Sequence, residues 1–319
     1  MNNILSVPIL IHIGYPKALS KWCQRQLFIS EFGFEKVMGT FEAQAKLIDP
    51  PVFNFNPENV KNFFQQRAKN KPNKKYVPVI TSENLCGHIF CGGFNAKELA
   101  DRIKMVFSNA RILIIVREQQ SMIRSLYSEH IAWGLPHSLK RFMHPIDPRL
   151  APQFQLDYLK YDKLIIYYQA LFGKQNVLVL PYELFKYEPE KFLQSLHKFS
   201  EIQMDLKNWL KELPIYEKFN PGRSMLYLHV QRFFNRMLIA NCHNYTGWVK
   251  NFQRGYFLTQ IFRGAARIID PSIPGFLKDP FEKRSQAYIE RETEGQFTDS
   301  NRRLSELIHM DLIPFGYDV

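Results

Sequence analysis

The sequence predicts an α/β protein: a mainly parallel sheet covered by helices on both faces. Three observations carry that reading. Short apolar runs of strand length alternate with stretches of helical period along most of the chain. The strongest run, "ARILIIV" (110–116), is too short for a helix and is rich in β-branched residues. Charged residues stand just past the ends of these runs, where open parallel sheets gather their ligands.

The elements follow in order. Pro8–Ile13 is an apolar run stopped by Gly14, a buried strand. Residues 20–32 carry apolar side chains at Trp22, Cys23, Leu27 and Ile29, which predicts a helix capped by Ser20. "PENVKNFFQQRAKNK" (57–71) is a helix leading into a basic loop, and "YVPVIT" (76–81) is a strand that meets Ser82 and Glu83. "AKELADRIKMVFS" is helical by period; the 110–116 strand ends at Arg117, and "QQSMIRSLYSEHIAW" resumes as a helix. Residues 154–173 predict a long helix stopped by Gly173, then "NVLVLPYE" (176–183) a strand and "EPEKFLQSLHKFSEI" a helix. The stretch 205–280 is less regular, with helices expected near 224–240 and 250–268.

Composition bounds the function. The chain has 319 residues, 45% hydrophobic and 23% charged, a globular balance that fits one large α/β domain over 1–319. Its formal charge of +12 favours anionic partners without choosing among them. No basic-aromatic repeat points to nucleic acid. No run approaches the roughly 18 apolar residues of a membrane span, and the N-terminus has no basic leader, so a cytoplasmic protein with reduced thiols is expected. "CGHIFC" (86–91) lacks a second ligand pair at zinc spacing, so no metal is expected there.

The chemistry gathers in "HIGYPKALSKWCQ" (12–24). A strand, a tight loop and a helix start offer backbone N–H groups and the positive end of a helix dipole to an anion. Lys17 adds a full charge and Ser20 a hydroxyl; the plainer alternative is a surface lysine and an N-cap. This is not a Walker loop, which needs Gly-x4-Gly-Lys-Ser/Thr. The strongest strand ends in Arg117, where a nucleotide triphosphatase would place a magnesium-binding Asp. Arg117, with Ser125 eight residues on, suits a dianionic group gripped without metal.

Taken together, "YPKALSKW" and "IVREQQSMIRSLY" resemble the sulfotransferases that use 3′-phosphoadenosine 5′-phosphosulfate (PAPS). That family carries Tyr-Pro-Lys-Ser/Ala-Gly-Thr/Ser-x-Trp/Leu as its 5′-phosphosulfate loop and Arg-x7-Ser, often with x-Tyr, as its 3′-phosphate motif. Tyr15, Pro16, Lys17, Ala18, Ser20 and Trp22 match the first; Arg117, Ser125 and Tyr127 match the second. The segment 177–202 and the ending "FTDSNRRLSELIHMDLIPFGYDV" extend the likeness over nearly the whole chain, weakest at 205–280, the acceptor or lid region.

The resemblance implies a P-loop-like sulfotransferase fold and transfer of a sulfuryl group from PAPS to a hydroxyl of a small-molecule, glycolipid or carbohydrate acceptor. Adenosine 3′,5′-bisphosphate (PAP) is the product, and no metal takes part. Lys17 would stabilise the breaking sulfur–oxygen bond, and Glu83 would take the acceptor proton. The backbone of Ala18, Leu19, Ser20 and Lys21, with the Ser20 hydroxyl, would hold the 5′-phosphate. Trp22 would stack on adenine or else pack in the core. Arg117 and Ser125 would hold the 3′-phosphate, Tyr182 would line the nucleotide site, and Arg223 in "NPGRS" is a further candidate.

Two positions depart from the pattern: Leu19 stands where the family has Gly, and Lys21 where Thr or Ser is common. If the loop needs a left-handed residue, Leu costs about 1–2 kcal/mol; if φ is negative, it costs little. Two alternatives follow: a degenerate nucleotide-binding homologue without turnover, and a P-loop kinase that uses ATP with Glu83 on magnesium.

Overall fold

A computed structural model describes residues 9–69, 76–146, 152–216, 222–238, 247–250 and 252–319. Cys242, most of the basic loop after residue 69, and Asn220 and Pro221 of "NPGRS" lie outside the described residues. The chain groups into two compact units. One holds Met1–Glu118, Ala151–Glu217 and Phe297–Val319; the other holds Gln119–Leu150 and Lys218–Gln296.

The first unit is an α/β layer structure. Its five strands are β1 (Leu10–His12), β2 (Phe34–Met38), β3 (Val77–Thr81), β4 (Arg111–Val116) and β5 (Val177–Pro181). They lie in the order β2-β3-β1-β4-β5, and every neighbouring pair is parallel. Four of the five are the apolar runs the sequence predicts. The fifth, β2, was not expected: "FEKVM" carries two charges, as an edge strand can. Helices flank the sheet, among them Pro57–Lys69, Ala96–Val106, Tyr161–Phe172, Pro189–Ser200 and Thr298–Ile308.

This order places the topological switch point between β1 and β4. The chain leaves β1 toward β2 and β3 on one side, and passes to β4 and β5 on the other. Ligands of open α/β sheets bind outside the carboxyl ends of the strands at such a point. The core beneath it is aliphatic and aromatic, with Leu10, Ile11, Ile13, Tyr15, Ile112–Val116, Tyr161 and Tyr168 fully buried.

Two expected helices are shorter than predicted. Residues 154–173 hold a 3-10 turn (Leu156–Leu159) and then the Tyr161–Phe172 helix, stopped by Gly173 at φ 85. The helix expected over 20–32 begins at Ser20, passes into a π turn over Cys23–Leu27 and ends there; Ser30–Phe32 is a separate 3-10 turn.

The second unit is helical. It contains Gln119–Ala132, Met225–Leu238, Phe252–Ser272 and Gly275–Thr293, the last unforeseen from the sequence. Polar side chains tie these helices. Asn235 Nδ2 donates to the carbonyls of Ile131 and Leu135 at 2.8 and 3.1 Å. Asp270 accepts from the Ser224 N–H at 2.7 Å, and the Tyr227 hydroxyl donates to the Phe262 carbonyl at 2.7 Å. Among the described residues no helix is long and apolar enough to cross a membrane.

Candidate active site

The loop after β1 is shaped by what lies under it. His12 is fully buried, with Nδ1 2.9 Å from Thr81 Oγ1 at the end of β3. Its other ring nitrogen sits where a side chain at residue 14 would begin: a Cβ there would lie 2.4 Å from His12 Nε2. Gly14 is required by that close approach. Burial alone lowers the His12 pKa from 6.5 to about 3, so the imidazole stays neutral.

Beyond Gly14 the chain turns tightly. The Ala18 N–H donates to the Tyr15 carbonyl at 3.3 Å, and the Ser20 hydroxyl reaches the same carbonyl at 3.4 Å. Pro16 at the second position and a positive φ at the third, Lys17 (φ 66), are marks of a type II turn. Leu19 follows at φ 66, ψ −4, also left-handed. Among the described residues the other positive-φ residues that are not glycine, Glu201 and His309, are helix C-caps, where that conformation is common. The strain at Lys17 and Leu19 therefore belongs to the loop itself.

Ser20 is not the cap that the sequence predicts. Leu19 holds the N-cap position and supplies no side-chain acceptor to the first N–H groups of the helix. Replacing Leu19 by Gly is expected to stabilise the protein by about 1 kcal/mol, because relief of left-handed strain exceeds the added chain entropy. Urea unfolding measures it. A loss of stability would mean that the packing of the half-buried Leu19 side chain outweighs the strain.

Arg117 closes the switch point. Its Nη1 donates to the Lys17 carbonyl at 2.9 Å, so the end of β4 fastens the loop after β1. Its guanidinium lies 4.9 Å from the centroid of the Tyr182 ring, which stands just past β5. The Tyr161 hydroxyl donates to the Arg117 carbonyl at 2.7 Å. Three residues expected at the site, Lys17, Arg117 and Tyr182, are thus brought together.

A buried carboxylate stands behind them. Glu183 accepts from the Glu118 N–H and from the Tyr317 hydroxyl, both at 3.1 Å. Burial pushes its carboxyl above the ordinary 4.5, against the opposing pull of the Glu118 N–H and Arg117.

Glu83 stands just past β3, half-buried, and accepts from Gln24 Nε2 at 3.5 Å. Ser82, not Glu83, caps the 3-10 turn there, its side chain accepting from the Asn84 N–H at 3.3 Å. Lys21 is exposed. Trp22 is 3% exposed and packs on Phe185 with ring centroids 4.6 Å apart.

Ser125 and Arg223 belong to the second unit. Ser125 is half-buried on the Gln119–Ala132 helix. Arg223 Nη1 donates to the Ser128 carbonyl of the same helix at 3.1 Å. Burial lowers the Arg223 pKa, partly offset by Glu129.

The architecture is similar to that of a sulfotransferase from Alicyclobacillus acidocaldarius. The two share 13% identity and a TM-score of 0.52, over 98% of this chain and 99% of that one. The chain has a sulfotransferase fold. Also similar are a mouse sulfotransferase complexed with PAP (13% identity, TM-score 0.40, 94% and 89% covered) and the sulfotransferase domain from the curacin biosynthetic pathway (11%, 0.36, 90% and 97%). No family model and no curated protein matches the sequence.

In this sulfotransferase fold the sequence reading missed the residues behind the site. Tyr161 sits in a helix whose tyrosines look alike from sequence, and Tyr317 lies 134 residues beyond its partner Glu183. Only the Tyr182-Glu183 pair, directly after an apolar run, carried a local signal.

Proposed function

We propose that this protein transfers the sulfuryl group of PAPS to a hydroxyl of a small-molecule, glycolipid or carbohydrate acceptor, releasing PAP. The observation that carries the reading is the bond from Arg117 to the Lys17 carbonyl across the switch point of a sulfotransferase fold. It joins the two loops that bear the paired sequence motifs.

The roles follow from the groups. The Lys17 ammonium neutralises charge that builds on the oxygen between sulfur and the 5′-phosphate as that bond breaks. Glu83 takes the proton of the acceptor hydroxyl as its oxygen bonds to sulfur. The first N–H groups of the helix at Ser20 and Lys21, with the Ser20 hydroxyl, bind the 5′-phosphate. For this the Ser20 hydroxyl leaves the Tyr15 carbonyl that it meets in the structure. Arg117 grips the 3′-phosphate with its fork held over the Tyr182 ring; Ser125 and Arg223 stay assigned to the same phosphate on sequence grounds. The stretch 205–280 is left to choose the acceptor within one sulfotransferase domain. PAPS supplies the activated sulfuryl group.

One set of observations favours a second reading, a nucleotide-binding homologue without turnover. Leu19 is strained, Trp22 is buried, and the Ala18 N–H and Ser20 hydroxyl are both turned to Tyr15. Calorimetric titration with PAP, with and without magnesium and against ATP, separates the readings when paired with transfer of labelled sulfate from PAPS to a panel of phenols, alcohols and sugars. Transfer with metal-independent binding selective for PAP is expected. Glu83→Gln should lower turnover by about 10²–10⁴ and leave PAP affinity within about twofold. Binding without transfer to any acceptor would favour the homologue, and magnesium-dependent ATP binding would overturn both.

A further inference from the structure

The helical unit carries an apolar surface turned outward. On the Met225–Leu238 helix the buried face is Leu228, Gln231 and Asn235, with polar side chains bonded to backbone carbonyls. Val230, Phe233, Phe234 and Met237, at i, i+3, i+4 and i+7, form a second stripe, and this one is exposed. Trp248 continues it. Its backbone N–H donates to the Met237 carbonyl at 3.1 Å, and the residue is 74% exposed. Phe233, Arg236, Met237 and Trp248 line an open groove of about 350 Å³.

The stretch of sequence that carries this surface has charge of one sign. From Arg223 to Arg267 the sequence holds seven basic residues and no acidic one. Arg236, Lys250, Arg254 and Arg267 are exposed. A contiguous apolar stripe with a tryptophan beside it and arginines around it is the pattern of a surface that enters the interface of a bilayer. The apolar side chains reach the acyl boundary while the cations meet anionic headgroups. A second copy fits poorly, since facing two such surfaces sets like charges against each other.

We propose that the helical unit docks on anionic lipid bilayers through the Val230–Met237 stripe and Trp248, with Arg236, Lys250 and Arg254 on the headgroups. The proposal stands apart from sulfuryl transfer, because docking needs no nucleotide and no turnover.

Co-sedimentation of the full chain with extruded vesicles tests it. Binding to phosphatidylcholine–phosphatidylglycerol vesicles should be on the order of tenfold or more tighter than to phosphatidylcholine alone, and should weaken with added salt. Two variants divide the surface: Phe233→Ser with Trp248→Ser removes the apolar part, and Arg236→Glu with Arg254→Glu reverses the charge. All four positions are exposed, and an unchanged circular dichroism melt certifies the fold. Each variant should lose most of the vesicle binding. Equal binding to both vesicle types, or to neither, overturns the proposal. So does a dimer in light scattering that Phe233→Ser with Trp248→Ser dissolves, which would make a second copy the occupant, and so does full vesicle binding by both variants, which would place the lipid contact elsewhere on the chain.

Discussion

Arg117→Ala is expected to weaken PAP binding by on the order of a hundredfold. Losing a charge-assisted grip on a phosphate costs about 3 kcal/mol, and every 1.4 kcal/mol is about tenfold in affinity. The structure adds a second reason. The same guanidinium donates to the Lys17 carbonyl and lies over Tyr182, so the substitution also releases the loop after β1. Arg117→Lys should recover little, because a lysine cannot keep the carbonyl bond, the ring contact and a bidentate phosphate contact together. Titration calorimetry at fixed ionic strength decides it. An Arg117→Ala affinity within severalfold of wild type would remove the nucleotide site from the switch point.

Acid should destabilise the protein steeply, through His12. The imidazole titrates near 6.5 in the unfolded chain and at about 3 in the fold, because it is fully buried. A depressed folded pKa stabilises the native state above the unfolded value, and that stability is lost as pH falls toward the folded one. Between those two values the unfolded chain binds a proton that the native state refuses. Stability then drops by about 1.4 kcal/mol per pH unit, several kcal/mol in all.

Thermal melts across that range should show the acid limb, and His12→Ala should flatten it. Gly14→Ala probes the same contact from the other side. Its Cβ would meet His12 Nε2 at 2.4 Å, and a cost of about 3 kcal/mol is expected from forcing the ring or the loop aside. In a His12→Ala background most of that cost should vanish, as a double-mutant cycle can measure. An undiminished cost would place the clash in the backbone instead.

These cases also mark what the sequence could convey. Strands β1, β3, β4 and β5 are apolar runs bounded by Gly, Pro or charge, and local pattern locates them within a residue or two. Strand β2 escaped because Glu35 and Lys36 interrupt its apolar pattern at the sheet edge. The convergence of Lys17, Arg117 and Tyr182 was legible because Arg117 and Tyr182 directly follow strands and Lys17 lies in the loop after β1, and parallel strands bring such positions to one end of the sheet. The conformation of Leu19 was not legible. Whether that position is left-handed depends on a turn closed by Tyr15 and on a ring buried beneath Gly14, neither of which is a property of Leu19. The Glu183–Tyr317 bond was beyond reach for the same reason, since long-range pairing has no local signature.

That bond orders events in the life of the chain. On the ribosome, Arg117 and Glu183 emerge well before Tyr317, whose hydroxyl closes the ring of contacts behind Arg117. The helix leading to Tyr317 is moored as well, by Ser300 and Arg303 on the buried Asp162. At about 5–20 residues per second, the 134 residues from Glu183 to Tyr317 take on the order of ten seconds to synthesise. Throughout that interval the sheet can form while Glu183, facing the interior, lacks one of its two donors. The nascent chain can thus acquire its sheet first and the Glu183–Tyr317 bond last.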